Sequence, residues 1–194
     1  MTTRPLGAAL LAVLAVAGCS ASDAPTRSAA EGTTASDPMA FLEPFGLEGS
    51  DATEIISTLD QTNDDRALAL AGSVRYDTVV FATADGETEL PVPDDLFYLS
   101  VAPYVESTHE CYYHNLARCQ GELVEEDMDV TITSADGEVL VDETATTYEN
   151  GFVGFWLPKD IEGTITVTWD GLTTTAPIAT GAEDPTCVTT LQLG

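Results

Sequence analysis

Basic side chains are scarce in this chain. Six lysines and arginines stand against 33 aspartates and glutamates. Such a surface repels phosphate backbones, which excludes nucleic acid as a partner. It repels anionic lipid head groups as well, so no basic patch holds the protein to a membrane. Histidine is scarcer still, with two, and the three methionines are Met1, Met39 and Met128, far apart in the chain. Beyond the N-terminal leader no apolar run approaches the ~20 residues that span a bilayer. The chain has no Gly-x-Ser-x-Gly elbow to seat a serine nucleophile, no glycine-rich loop to cradle phosphate and no internal repeat. Carboxylates are so abundant that no acidic pair can be singled out as catalytic from the sequence.

What is present begins at the leader. Arg4 precedes an uncharged apolar run from Leu6 to Ala17, too short to stay in a bilayer as a finished span. It ends in Val16-Ala17-Gly18-Cys19, which resembles the lipobox of bacterial lipoproteins, where the cysteine thiol is acylated and the chain is cut just before it. The small residues let a signal peptidase close around the scissile bond. The plainer alternative is an ordinary secretory signal in which Cys19 is incidental. Cleavage removes Arg4 and no acid, leaving 5 basic and 33 acidic residues, a formal charge of −28. Residues 1–18 are thus expected to be a signal peptide. Residues 19–37 form a lipidated cysteine and a flexible linker of small and polar side chains that can bury nothing. The implied location is extracytoplasmic, with the protein anchored to the cell membrane by lipid.

The remainder reads as α+β. Met39, Phe41, Leu42, Phe45 and Leu47 are the first side chains able to dock onto a core. Ser50 or Asp51 can cap a short helix through about Leu59, with Glu54 placed to answer Asp51 and with Ile55, Ile56 and Leu59 on one face. Asp64 and Asp65 precede Leu68 and Leu70, a second short helix. Thr78 to Ala82, the turn pair Asp85-Gly86 and Thr88 to Val92 spell a hairpin, its prolines suited to an edge strand. Residues 38–95 therefore form a small α+β N-terminal domain. From 96 to 194 the chain is β-rich: Phe97 to Tyr104 is strand-like, and Val130 to Thr133 meets Asp136-Gly137 before Val139 to Val141 returns. Thr146 to Tyr148 faces Phe152 to Trp156 across Asn150-Gly151. Ile165 to Trp169 faces Leu172 to Thr175 across Asp170-Gly171. This pattern predicts an antiparallel immunoglobulin-like sandwich, with Trp156 and Trp169 in its core.

Both histidines and two of the four cysteines fall between His109 and Cys119, in His109-Glu110-Cys111-Tyr112-Tyr113-His114-Asn115-Leu116-Ala117-Arg118-Cys119. With Cys19 committed to lipid, Cys111, Cys119 and Cys187 remain. Three is an odd number for an oxidising compartment, so either one thiol is spare or the set serves something besides crosslinking. His109 and Cys111 share a face in extended backbone, and Cys111 and His114 are neighbours if the segment turns helically. Thiolate with imidazole is a donor set for zinc, copper or iron–sulfur centres, and thiolate dominance favours Cu(I) or zinc. A Cys111–Cys119 disulfide closing a small loop, with both histidines merely solvated, is equally open on spacing. A cysteine nucleophile paired with histidine is a further, lesser alternative.

Longer stretches carry a resemblance. Phe97-Tyr98-Leu99-Ser100-Val101-Ala102-Pro103-Tyr104, His109 to His114 and Cys119-Gln120-Gly121-Glu122-Leu123 closely resemble the CueP family of periplasmic copper-binding proteins. Asn150-Gly151-Phe152-Val153-Gly154-Phe155-Trp156-Leu157-Pro158 and Asp184 to Leu193 extend the likeness to the C-terminus. The resemblance implies a helical–β N-terminal part able to form a homodimer and a β C-terminal domain. It also implies that Cys111, Cys119 and Cys187 bind copper with help from His109 or His114. It further implies copper resistance, copper delivery to an extracytoplasmic superoxide dismutase, and thiol-linked reduction of Cu(II), which calls for a thiol-disulfide oxidoreductase as a partner. Three thiolates suit a trigonal Cu(I) site, and the scattered methionines offer no thioether run to replace them. Cys187 follows the turn signal Asp184-Pro185 and opens the strand-like run Val188 to Leu193. That tail is expected to fold back and bring Cys187 to Cys111 and Cys119. Competing expectations are a thiol-dependent Cu(II) or Fe(III) reductase and a surface module whose cysteines only crosslink.

Overall fold

Asp51 starts the one α-helix among the described residues. Its Oδ1 accepts the backbone N–H of Glu54 at 3.0 Å, satisfying a donor the first turn cannot pair internally. Helix α1 (Ala52–Asp60) then buries Ile55, Ile56 and Leu59, the face its spacing dictates. The structure is a computed structural model and describes residues 37, 39–63, 70–83 and 86–194. The signal peptide, Cys19, all of the linker but Asp37, the second short helix begun at Asp64 and the turn residue Asp85 lie outside the described residues. A 3-10 turn (Ala40–Phe45) precedes α1 and ends at Gly46 in the left-handed region.

The first sheet has three strands, β1 (Ala71–Val74), β2 (Thr78–Thr83) and β3 (Gly86–Pro91), in that order. The β2–β3 hairpin follows the sequence pattern; β1 does not, because Ala-Gly-Ser-Val has little strand propensity of its own. Contacts made elsewhere hold it. The backbone of the His114 segment pairs along its free edge, with Val74 N–H donating to His114 O at 2.8 Å and Leu116 N–H to Gly72 O at 2.9 Å. The functional cluster is therefore fastened to the N-terminal sheet by a backbone ladder.

The remaining strands form two sheets. One is β10-β4-β7, from Leu96–Val101 (β4), Val153–Pro158 (β7) and Cys187–Val188 (β10). The other is β6-β5-β8-β9, from Asp127–Ser134 (β5), Val139–Thr146 (β6), Glu162–Trp169 (β8) and Leu172–Ala179 (β9). The β5–β6 and β8–β9 hairpins turn at the expected Asp-Gly pairs. Asp170 and Gly171 both take positive φ, as a two-residue turn of that hand requires. The Thr146–Tyr148 and Phe152–Trp156 segments do not form a hairpin of paired strands. Tyr148 and Phe152 close a tight turn, with Tyr148 N–H donating to Phe152 O at 2.7 Å, but β6 pairs with β5 while β7 crosses to β4. The reason lies in β7 itself. Val153, Phe155 and Leu157 enter one core and Trp156 packs against another, so both of its faces have apolar neighbours. β4 likewise ends at Val101, leaving Tyr104 with a single bridge to Gln192, and the tail strand is only two residues long and parallel to β4.

Apolar side chains sort into two large clusters. The first lies between the last two sheets and takes Phe97, Leu99, Phe155, Ile132, Ile165 and Val167 among others. The second gathers Ile55, Ile56 and Leu59 of α1 with Val79, Phe81, Tyr98 and Leu116. Strand alternation sends Phe97 and Leu99 to one cluster and Tyr98 to the other. Trp169 flanks the first cluster and Trp156 the second, both half-buried, so neither fills a sandwich core as the sequence suggested. The chain is mostly β with few helices and several antiparallel pairings, which places it in the α+β class. No helix among the described residues is long and apolar enough to cross a membrane.

Candidate metal centre

A third, smaller cluster consists of Ala102, Cys119, Phe152 and Cys187, with Cys111 packed against it. Cys111 and Cys119 come from one stretch of sequence and Cys187 from the distant tail, and backbone pairing brings the two segments together. β10 sets Cys187 opposite Ser100, with Ser100 N–H donating to Thr186 O at 2.9 Å. Cys187 N–H in turn donates to Tyr112 O at 3.1 Å, which docks the Cys111 loop onto the tail. Cys119 closes a turn in which its N–H bonds Asn115 O at 3.0 Å, while Asn115 N–H points at Cys119 Sγ at 3.3 Å. Just beyond, Gly121 lies backbone to backbone against Gly151, which has φ 75°, and a Cβ on either glycine would strike the other's main chain.

Cys111 and Cys187 form a disulfide, with Cα atoms 5.7 Å apart. The covalent partner of Cys111 is thus the distant tail cysteine and not Cys119. Cys119 is a buried free thiol whose Sγ lies 3.4 Å from Cys111 Sγ. All three sulfurs the sequence singled out meet in one place, as the folding-back of the tail requires.

The two histidines part company. His114 is fully buried and its Nε2–H donates to Asp60 Oδ1 at 2.7 Å, while its Nδ1 has no hydrogen-bond partner. His109 sits at the mouth of the cluster, in a groove of about 680 Å³ that it shares with Tyr104, Cys111, Tyr112 and Thr190. Both rings pack against Phe152, with centroids 4.8 Å away for His114 and 6.0 Å for His109. Two donor groups result. His109, Cys111 and Cys119 bring their ligand atoms within 4.8 Å of one another, and so do His114, Cys119 and Cys187.

Asp60, the last residue of α1, is what the sequence did not disclose. Its carboxylate is wholly buried and accepts from Tyr98 Oη at 2.6 Å, Ser100 Oγ at 3.1 Å and Asn150 Nδ2 at 2.8 Å, besides its pairing with His114. Burial favours the neutral acid, but the charge of His114 and these donors outweigh it and hold Asp60 below the usual carboxylate range. Burial also opposes a charged His114 ring. The Asp60 charge and hydrogen bond, with a smaller contribution from Cys119, prevail and raise its pKa to about 9. Tyr98 is pushed well above the ordinary phenol range by burial first and by Asp60 second. The arrangement is a carboxylate–imidazole relay of the kind that orients metal-ligating histidines. Asp60 holds Nε2 and leaves Nδ1 without a hydrogen-bond partner, in a ring whose ligand atom lies within 4.8 Å of the Cys119 and Cys187 sulfurs. Soft thiolates and an unpartnered imidazole nitrogen suit a soft cation such as copper. One signal for Asp60 existed: an acid ending an amphipathic helix is disfavoured by the helix dipole and requires compensation.

Comparison with known proteins agrees with this chemistry. Residues 54–192 match the family described as "Periplasmic copper-binding protein CueP". No curated protein matches the chain. Among solved structures, one described as "Crystal Structure of S.CueP" is 39% identical with a TM-score of 0.78, covering 82% of this chain and 99% of its own. The chain belongs to the CueP family of periplasmic copper-binding proteins.

Proposed function

We propose that this protein is an extracytoplasmic lipoprotein that sequesters or hands over Cu(I), bound by Cys111, Cys119 and Cys187 with assistance from His109 and His114, and so contributes to copper resistance. One observation carries the reading: wholly buried His114 brings a ring nitrogen within 4.8 Å of the Cys119 and Cys187 sulfurs, while Asp60 occupies its Nε2 and its Nδ1 has no hydrogen-bond partner. Cys19 is the proposed acylation site that tethers residues 38–194 to the cell membrane. Residues 38–95 are taken as the smaller α+β part, and 96–194 as an immunoglobulin-like sandwich supported by two sheets over a shared core. A copper-receiving client such as an extracytoplasmic superoxide dismutase and a second copy of the chain are the proposed protein partners. A thiol-disulfide oxidoreductase would keep the cysteines reduced.

A second reading is favoured by the disulfide itself. Cys111 and Cys187 as thiols can give one electron each to two Cu(II) ions, releasing two protons and ending as the observed bridge while two Cu(I) ions form. Thiol titration separates the readings. Fully reduced protein that masks its thiols with bound Cu(I), and shows sulfur-dominated coordination by X-ray absorption, is a binder. Loss of two thiols per two Cu(II) reduced, with turnover restored by external dithiol, makes it a reductase. Cysteines that stay paired and indifferent to copper would reduce the site to a crosslink and defeat both. For the tether, wild type should enter the detergent phase of a detergent extraction and Cys19→Ala should not.

A further inference from the structure

The proposed site contains five soft donors, yet the geometry divides them into two overlapping groups. His109, Cys111 and Cys119 form one, its first two members lining the groove and Cys119 buried behind them; His114, Cys119 and Cys187 form the other, buried throughout. Only Cys119 belongs to both. We propose that these are two successive positions for one Cu(I) ion, an outer capture position and an inner holding position, with Cys119 as the ligand retained during passage. This rests on the Cu(I)-binding reading above and specifies how the ion enters and where it stays.

Three features support the division. First, the two histidines cannot be interchangeable. His109 lies at the open groove, whereas His114 is 0% exposed and fixed by a carboxylate that is also 0% exposed. Second, a buried three-ligand position sealed by Phe152 (0% exposed) and Cys187 (2% exposed) has no direct opening to water, so the ion must first be bound at a place that has one. The groove that runs past Cys111 supplies it. Third, Cys111 Sγ lies 3.4 Å from Cys119 Sγ and is bonded to Cys187 Sγ, so the sulfurs form a continuous path from the groove inward.

Passage is ligand exchange and copper remains Cu(I) throughout. Bonds to Cys187 Sγ and His114 Nδ1 form, and bonds to Cys111 Sγ and the His109 ring break. The bond to Cys119 Sγ persists. The proton given up by the Cys187 thiol is taken by the released Cys111 thiolate, and a proton displaced from His114 Nδ1 leaves to water. The disulfide then acquires a meaning, since it joins one ligand of the outer position to one of the inner. A single bridge disables both, and a dithiol that reduces it by exchange, becoming a disulfide itself, restores both at once.

The test is stopped-flow loading of the full-length, dithiol-reduced protein with Cu(I) supplied anaerobically from a weak chelator. Wild type should load in two phases. The first should accelerate with Cu(I) concentration; the second should not, because it is intramolecular. His109→Ala should slow the first phase at least tenfold. Cys187→Ser should keep the first phase, lose the second and weaken equilibrium binding at least tenfold. His114→Gln, a second inner variant, should repeat that pattern, with folding checked by circular dichroism. A single loading phase in wild type, an unaltered first phase in His109→Ala, or loss of the first phase in a folded Cys187→Ser would each overturn the two positions. If wild type binds no Cu(I) by titration, it is the binding function itself that fails.

Discussion

The two large cores of this protein solve different problems. Between the last two sheets the interior is dry and apolar, built from side chains such as Phe97, Ile132 and Ile165, with hydroxyls kept outside in pairs such as Thr166 with Thr175. Beside α1 the interior ends in a buried polar knot, Asp60 with His114, Tyr98, Ser100 and Asn150. Apolar burial between hydrogen-bonded strands stabilises the first. The second retains charges that cost desolvation, which the hydrogen bonds gathered on the Asp60 carboxylate offset, while His114 Nδ1 is left without a partner. The contrast teaches that stability and chemistry are housed apart, joined by β4, which sends alternate side chains to each.

Substitutions in each region sharpen the contrast. Asp60→Ala should have the largest effect: it strands a buried imidazolium and should cost ~3–5 kcal/mol in urea unfolding. Because Asp60 orients His114, copper affinity should also fall roughly 10–100-fold. Ile165→Ala in the dry core should cost ~2–5 kcal/mol through lost burial and a residual cavity, with copper affinity retained. If it weakened copper binding as Asp60→Ala does, the separation of the two regions would be refuted.

The polar knot also predicts a pH dependence that the dry core lacks. His114 holds its proton more tightly folded, so its contribution to metal-free stability is complete below about 6.5 and is lost as pH rises through about 9. Asp60 behaves oppositely. Its contribution is present above about 3.8 and disappears as pH falls further. Metal-free protein should therefore be most stable between these limits and weaken toward alkaline pH, and Asp60→Asn should flatten the alkaline limb of the melting-temperature profile. The smallest effect belongs to Asp51→Ala, which removes the α1 cap and should cost ~1 kcal/mol without changing that profile.

How much of this was legible in sequence follows from the range of each cause. α1 and the Asp-Gly hairpins are local and could be read from caps, spacing and turn pairs. The cluster from His109 to Cys119 could be read because soft donors are rare in this chain, and the tail's return because a turn precedes Cys187. β1 could not, since its stability comes from pairing with residues 114–116. Nor could the crossing of β7 to β4, because alternation reports which faces are buried and not which sheet a strand joins. Asp60 was hidden by abundance: among 33 acids its one mark, a place at the end of an amphipathic helix, does not stand out until the fold surrounds it.

The bridge from Cys111 to Cys187 spans a sequence separation of 76 and encloses β5 through β9 entirely. It acts as a belt buckle around most of the second half of the chain. Fastening so long a loop removes freedom from the unfolded chain worth about 4 kcal/mol in the chain-entropy treatment. An ion held by Cys119 and Cys187 would fasten nearly the same length of chain. The unbuckled protein, reduced and empty, is then the loosest of its forms and the one most open to proteases. Turnover by degradation would fall on molecules that carry neither bond nor cargo.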